Sequence, residues 1–455
     1  MSRGVALIKQ TLSLKEVERV PWVPFVGVHG AHLIGVKADE YLQSADLILK
    51  GLQKAKELYQ PDGLPAIFDL QLEAEALGTD LHWADEMPPS VVSHPLERKS
   101  ISELSDIDFK RGRFSMVGEV VRKLKDRYGD ELAVYGLVTG PFTLAMHLLG
   151  NDLFLKMILE AEFVHQLLHF TGKVAAKTAL FYLEQGADVI ALVDPMTSQI
   201  SPEHFSEFVT KPTNQVFELV QKNGKFSSFF VCGDASRNLE LMFQTWCDYV
   251  SIDENISLAR CKELSIKYHK AFGGNLKLTS VLLFGSEEDC KAHALECLET
   301  GGNRGFILSP GCDLPFGCPP KNLQAVAQMV HDSYQRSVFK QLKRAEKKTE
   351  IEVRLPDYQN LPYVLLEVVT LDSASCAPCQ YMVAAAQKAA KQFGSKVKVV
   401  EHKISTREGL AWMQQLAVRS IPSLCLDGQV VFSSIIPDRQ RLKETIIEFL
   451  KKKGL

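Results

Sequence analysis

Cys376 and Cys379, in the stretch SASCAPCQYM, stand with two residues between them, after an apolar run and before a stretch of helical period. That spacing puts Cys376 at a helix N-terminus. There the helix dipole favours thiolate over thiol and pulls the group below the ordinary value of about 8.5. The pair reads as a dithiol, with Cys376 the attacking sulfur and Cys379 the resolving one. A zinc knuckle is the rival reading, but it needs a second ligand pair, and only Cys425 lies nearby in sequence. Two more cysteines end apolar runs: Cys232 in SSFFVCGDAS and Cys312 in FILSPGCDLPFGC, which also delivers Cys318. Thiolates suit a soft metal such as zinc, and an accessible pair suits redox exchange. A thiol that is merely buried does neither. Asp69, Asp194 and Asp253 end other apolar runs, Asn275 ends another, and Thr143 and His147 follow one in TGPFTLAMHLLG. These are candidate acid, base or ligand groups, although an aspartate at a strand end also serves as a helix cap. Cys247, Cys261, Cys290 and Cys297 fall on helical stretches and read as packing residues; His165 and His169 read as helix-flank residues.

Residues this far apart need a rigid frame to meet. Between about residues 20 and 345, short apolar runs alternate with longer stretches of helical period. The runs are WVPFVGV, LPAIFDL, AVYGLVT, DVIALVD, FSSFFVC, YVSID, AFGGN and RGFILSP, with helices such as ADEYLQSADLILKGLQKAKELY between them. Eight strands each followed by a helix is the count of a (β/α)8 TIM barrel, whose site is built at the C-terminal strand ends. A doubly wound sheet is the alternative. The stretch KQLKRAEKKTEIEVRLPDYQNLP then breaks the rhythm, with charge first and Pro356 and Pro362 after it. This divides the chain into a barrel over 1–345, a linker over 346–361 and an α/β module over 362–455. In the module, strand YVLLEVVTL, the Cys-x-x-Cys turn, a helix, strand KVKVVEHKI, a second helix, a hairpin turning at Asp427-Gly428 and a last helix follow in order.

A net charge of −3 gives no electrostatic pull toward nucleic acid. No apolar run reaches the roughly 18–20 residues that span a bilayer. The N-terminus lacks an apolar signal core. The expectation is a cytoplasmic protein without nucleic-acid or membrane partners, its ten cysteines mostly reduced.

The segments FDLQLEAEALG, TGPFTLAMHLLG, VDPMTSQISPEHFSEF, VCGD and GFILSPGC resemble the uroporphyrinogen decarboxylase superfamily, and within it the methylcobamide:coenzyme M methyltransferase branch, over about residues 5–340. The resemblance implies a (β/α)8 barrel. It also implies a zinc ion held by His-x-Cys at the end of the fifth strand and by a cysteine after the eighth. The metal would activate a small-molecule thiol to take a methyl group from a corrinoid carried by a partner protein. Cys232 and Cys312 match the two cysteine positions, with Asp69, His147, Asp194 and Asp253 the other candidate catalytic residues. The histidine position is Phe230. Either a third ligand is recruited (Cys318 first, with His147, His29, Asp194 and Asp253 also available), or the metal is lost and the pair serves as a redox or substrate-thiol pair, or both cysteines are inert. In the decarboxylase branch the resemblance implies two arginines after the first strand and a tyrosine in the third loop. Here the first loop is GVHGAHLIGVKAD, with His29 and His32, and the tyrosine is absent, while Asp69 is kept. Decarboxylation of a tetrapyrrole acid is therefore the second expectation, and a non-enzymatic corrinoid- or tetrapyrrole-binding protein with a redox arm the third.

The C-terminal order resembles the thioredoxin–glutaredoxin fold. RSIPSL supplies Pro422, which the resemblance implies is a cis proline beside the disulfide. Ser375 stands where thioredoxins have tryptophan. The implied partner is a redox protein, or the barrel's own cysteines.

Overall fold

The computed structural model describes residues 4–341, 353–374 and 376–455. The expected linker lies partly outside these residues, and Ser375 wholly so. The chain forms two compact units, with the break between Lys343 and Arg344.

The first unit is built on a seven-stranded parallel sheet: β1 (Gly63–Pro65), β2 (Ala133–Thr139), β3 (Val189–Val193), β4 (Phe226–Val231), β5 (Tyr249–Ile252), β6 (Ala271–Leu276) and β7 (Phe306–Pro310). Each strand pairs with the next in sequence, so the strand order never reverses as it would in a doubly wound sheet. The two edges meet through the short segment Pro21–Val23. Trp22 bridges to Leu308 in parallel, and its carbonyl accepts the Asp62 N–H at 2.8 Å beside β1. WVPFVGV thus shrinks from a strand to a bridge. Pro21 and Pro24 flank Trp22 and Val23, and neither can donate to a ladder. Strands β2, β3 and β5 to β7 are buried throughout, as sheets covered on both faces are. Val23, Phe25, Phe68, Tyr135, Leu137, Val189, Ala191, Val193, Phe230 and Ile307 belong to one core cluster. The expected helix over 38–59 is broken into Ala38–Tyr41 and Ala45–Tyr59, because Ser44 takes an extended conformation and its hydroxyl accepts the Leu47 N–H as a new N-cap.

The second unit has β8 (Val364–Thr370), β9 (Val397–Lys403), β10 (Ser423–Leu426) and β11 (Gln429–Ser433) in the order β9-β8-β10-β11. The β8–β9 pair is parallel and the other two pairs are antiparallel. The hairpin turns at Asp427 and Gly428, both at positive φ (45° and 76°), as a tight Asp-Gly turn requires. Helices Ala377–Ala390 and Arg439–Lys453 contribute Met382, Ala386, Leu442 and Ile446 to a core with Val364, Leu366 and Val368.

Candidate functional site

Strand β4 ends at Val231 and β7 at Pro310, and the two segments that follow bring Cys232 and Cys312 together with their Sγ atoms 2.7 Å apart. Each loop is tied down just after its cysteine. The Asp253 carboxylate accepts the Gly233 N–H at 2.9 Å, and the Asp313 carboxylate accepts the Gly27 N–H at 2.8 Å. Two glycines are required for this approach. A Cβ at Gly27 would lie 2.4 Å from Asp313, and one at Gly311 would lie 2.6 Å from the Glu254 nitrogen. Both cysteines are half-buried, whereas the other six free cysteines are buried.

The electrostatics around the pair favour protons. Cys232 is held well above the ordinary thiol range, first by its hydrogen bond to Cys312 and then by burial and the nearby Asp253 and Asp313. Burial also raises Asp253 and Asp313, and it pushes Glu254 up to about 8 although the Leu278 N–H binds its carboxylate. Burial thus pushes all three carboxyls and the Cys232 thiol toward their protonated forms.

The other expected residues stand elsewhere. Asp69 is buried and paired with Arg113, which also reaches Glu75 at 2.7 Å and lies over the Trp83 ring. Arg113 lies in the first turn of the helix Gly112–Tyr128 and escaped sequence reading; only its place in a basic stretch marked it. Glu73, also missed, accepts the Thr139 N–H and hydroxyl, and burial raises it to about 7. Asp194 accepts from the Thr143 N–H and hydroxyl at 2.8 and 2.6 Å, so it caps the helix Pro141–Leu149 from the neighbouring strand end and is raised by burial to about 6. His147 lies on that helix, fully buried, with neither ring nitrogen hydrogen-bonded; burial lowers it to about 3, so it is neutral. His29 bonds the Phe316 carbonyl and the Tyr59 hydroxyl, and burial lowers it to about 4, so the first loop presents His29 without charge.

The expected zinc site does not fit these residues. Cys318, the first candidate for a third ligand, donates to the Leu282 carbonyl at 3.2 Å, where the Asn322 side chain also bonds. The CDLPFGC loop carries it away from Cys312: Leu314 donates to the Phe25 carbonyl and the Phe316 carbonyl meets His29, so the loop lies along the first loop instead of folding back. Phe230 packs against Phe25 and Phe68, with centroids 5.0 and 6.3 Å away. Among the described residues no group of three His, Cys, Asp or Glu side chains converges on a point that a metal could take. Two ligands of one tetrahedral zinc, at Zn–S of about 2.3 Å, would sit roughly 3.8 Å apart, well beyond the 2.7 Å between these sulfurs.

In the second unit Cys376 is the N-cap of helix Ala377–Ala390 and forms a disulfide with Cys379. Cys379 is buried and its sulfur accepts the Leu371 N–H, while Cys376 is half-buried. The Ile421–Pro422 bond is cis. Cys425 is buried in β10, and burial pushes it up to about 12. After reduction, a maleimide is expected to modify Cys376 at least about tenfold faster than Cys379, because a buried thiol is shielded from the reagent. Mass-spectrometric timing of the two adducts measures this, and equal rates would overturn the assigned roles.

The comparisons with known proteins agree with this architecture. The family model described as Uroporphyrinogen decarboxylase (URO-D) matches residues 6–333, and a Thioredoxin domain model matches 366–447. Methylcobamide:CoM methyltransferase MtbA of Methanosarcina acetivorans is 27% identical over 265 residues, covering 57% of this chain and 77% of its own. A uroporphyrinogen decarboxylase of Prochlorococcus marinus is 27% identical over 294 residues, covering 62% and 82%. The solved structure of a methyltransferase from Methanosarcina mazei superposes with a TM-score of 0.68 at 24% identity, over 73% of this chain and all of that one, and so shares the barrel fold. With the whole barrel matched, the chain belongs to the uroporphyrinogen decarboxylase (URO-D) family and carries a C-terminal thioredoxin domain.

Proposed function

We propose that this protein is a corrinoid-linked methyltransferase that moves a methyl group from a corrinoid, carried by a partner protein, to a small-molecule thiol. The observation that carries the reading is the Cys232–Cys312 pair at the strand ends, held by Asp253 and Asp313. Uroporphyrinogen bears eight carboxylates and needs cations to hold it. Here Arg113 is committed to Asp69 and Glu75, and His29 is neutral. A corrin ring carries amide side chains instead, which need no cluster of cations to hold them. In the transfer the acceptor thiol gives its proton to solvent, its sulfur takes the methyl carbon, and the electron pair of the carbon–cobalt bond stays on cobalt. Cys232 and Cys312 orient that sulfur through hydrogen bonds, and the loops tied by Asp253 and Asp313 hold them in place. The thioredoxin domain supplies a dithiol that keeps thiols reduced in a cytoplasmic setting.

The test is the absorbance change of a methylated corrinoid protein on demethylation, with a small thiol in excess and oxygen excluded. Turnover is expected, and Cys232→Ser and Cys312→Ser should each lower its rate by about a hundredfold, the usual cost of losing one preorganised polar group at a reacting centre. Stepwise loss of carboxylates from uroporphyrinogen, with no demethylation, would replace this reading with decarboxylation.

A further inference from the structure

We infer that Cys232 and Cys312 form a dithiol–disulfide couple in the barrel, which exchanges with small-molecule disulfides. The sulfurs stand 2.7 Å apart, nearer to the roughly 2.05 Å of a covalent S–S bond than to the spacing of two zinc ligands. They are the two free cysteines that are not fully buried, so a small reagent has access to them. No third ligand converges on them among the described residues. Each is followed at once by an anchored residue: Gly233, after Cys232, donates its N–H to Asp253, and Asp313, after Cys312, accepts the Gly27 N–H, so the two sulfurs are held facing each other.

The exchange balances. One cysteine, as thiolate, attacks a sulfur of the small disulfide RSSR, forms a mixed disulfide and releases RS⁻. The second cysteine, losing its own proton, then displaces the other RS⁻ and closes the Cys232–Cys312 bond. Two protein thiols are oxidised, and their two protons and two electrons leave on two RSH. A dithiol reverses the reaction by the same steps, and the chain carries one of that class at Cys376 and Cys379. The couple does not rest on the methyl-transfer reading, since it requires only the two sulfurs and a disulfide.

The test uses the full-length chain with Cys376→Ser and Cys379→Ser, which leaves the barrel unchanged. It is equilibrated with oxidised and reduced glutathione over a range of ratios, quenched with maleimide and digested without reduction. A cross-linked peptide pair containing Cys232 and Cys312 is expected to grow as the oxidised fraction rises and to disappear with dithiothreitol. In Cys232→Ser, glutathione should instead remain attached to Cys312. Three outcomes would overturn the inference: both cysteines fully maleimide-labelled at the most oxidising ratio; glutathione retained on one cysteine of the pair without closure; or one zinc per chain that protects both cysteines. Corrinoid demethylation is scored separately in the same preparation, so failure of one reading is not mistaken for failure of the other.

Discussion

Arg113→Met is expected to lower the stability of the barrel by about 3–5 kcal/mol, the cost of leaving one charge of a buried pair without its partner. Asp69 has no exposed side-chain surface, and the Arg113 side chain is only 10% exposed. Methionine keeps much of the apolar stem over Trp83 but removes the guanidinium. Asp69 then retains the Gln71 N–H and no opposing charge. Glu75 also loses its partner, but it is 36% exposed and water can solvate it, so its share is small. Because the penalty comes from the orphaned carboxylate, Arg113→Met combined with Asp69→Asn should recover most of the loss. The two units need not unfold together, so the barrel transition must be followed by itself. Calorimetry of native, single and double variants measures the effect. A double variant no more stable than the single one would show that the cost lies in packing. A single variant within about 0.5 kcal/mol of native, the range of ordinary surface substitutions, would show that Asp69 does not depend on Arg113.

The same pair shows where the sequence could and could not be read. Apolar runs with a period were legible because burial on both faces writes itself locally: seven of the eight runs overlap the strands of the sheet. The eighth failed at its prolines, whose missing N–H groups were visible in VPWVP and outweigh the apolar pattern. Cys232 and Cys312 were legible as a pair because barrel geometry sends strand ends to one face. Cys318 was misjudged on sequence proximity. Six residues can turn either way, and Leu314 and Phe316 bind the loop to the first loop. The Asp69–Arg113 pairing spans 44 residues and follows no period, so nothing in one sequence announces it. Cys247 was read as helical, yet it lies between the helix Leu239–Gln244 and β5, where its burial still makes it a packing residue.

Phe230→His is expected to give the chain a zinc site that the native sequence lacks. Strand side chains alternate, so Phe230 shares a face with Cys232, two residues on. The two cysteines also pack against the core cluster that contains Phe230. An imidazole there adds a third zinc ligand to two thiols that are already adjacent, leaving the fourth position for solvent or a thiol, as in open catalytic sites. Four-ligand zinc sites bind with about 10–16 kcal/mol, or roughly 2.5–4 kcal/mol per ligand, so the variant should bind zinc about a hundredfold to a thousandfold more tightly than native. The gain has a cost. Phe230 is 1% exposed and packs on Phe25 and Phe68, and replacing it loses part of the roughly 1.5–3 kcal/mol that burying such a side chain contributes. The metal-free variant should therefore be less stable than native, and zinc should restore it by mass action. The two sulfurs must also move apart, from 2.7 Å to roughly 3.8 Å, to share one ion. Zinc per chain, competition with a chromophoric chelator and the barrel melting temperature with and without zinc measure the three effects. Adding Cys232→Ser to Phe230→His should abolish the gain. If native protein already binds one zinc through Cys232, or if the histidine variant binds no more tightly than native, then Phe230 is not what keeps the metal out.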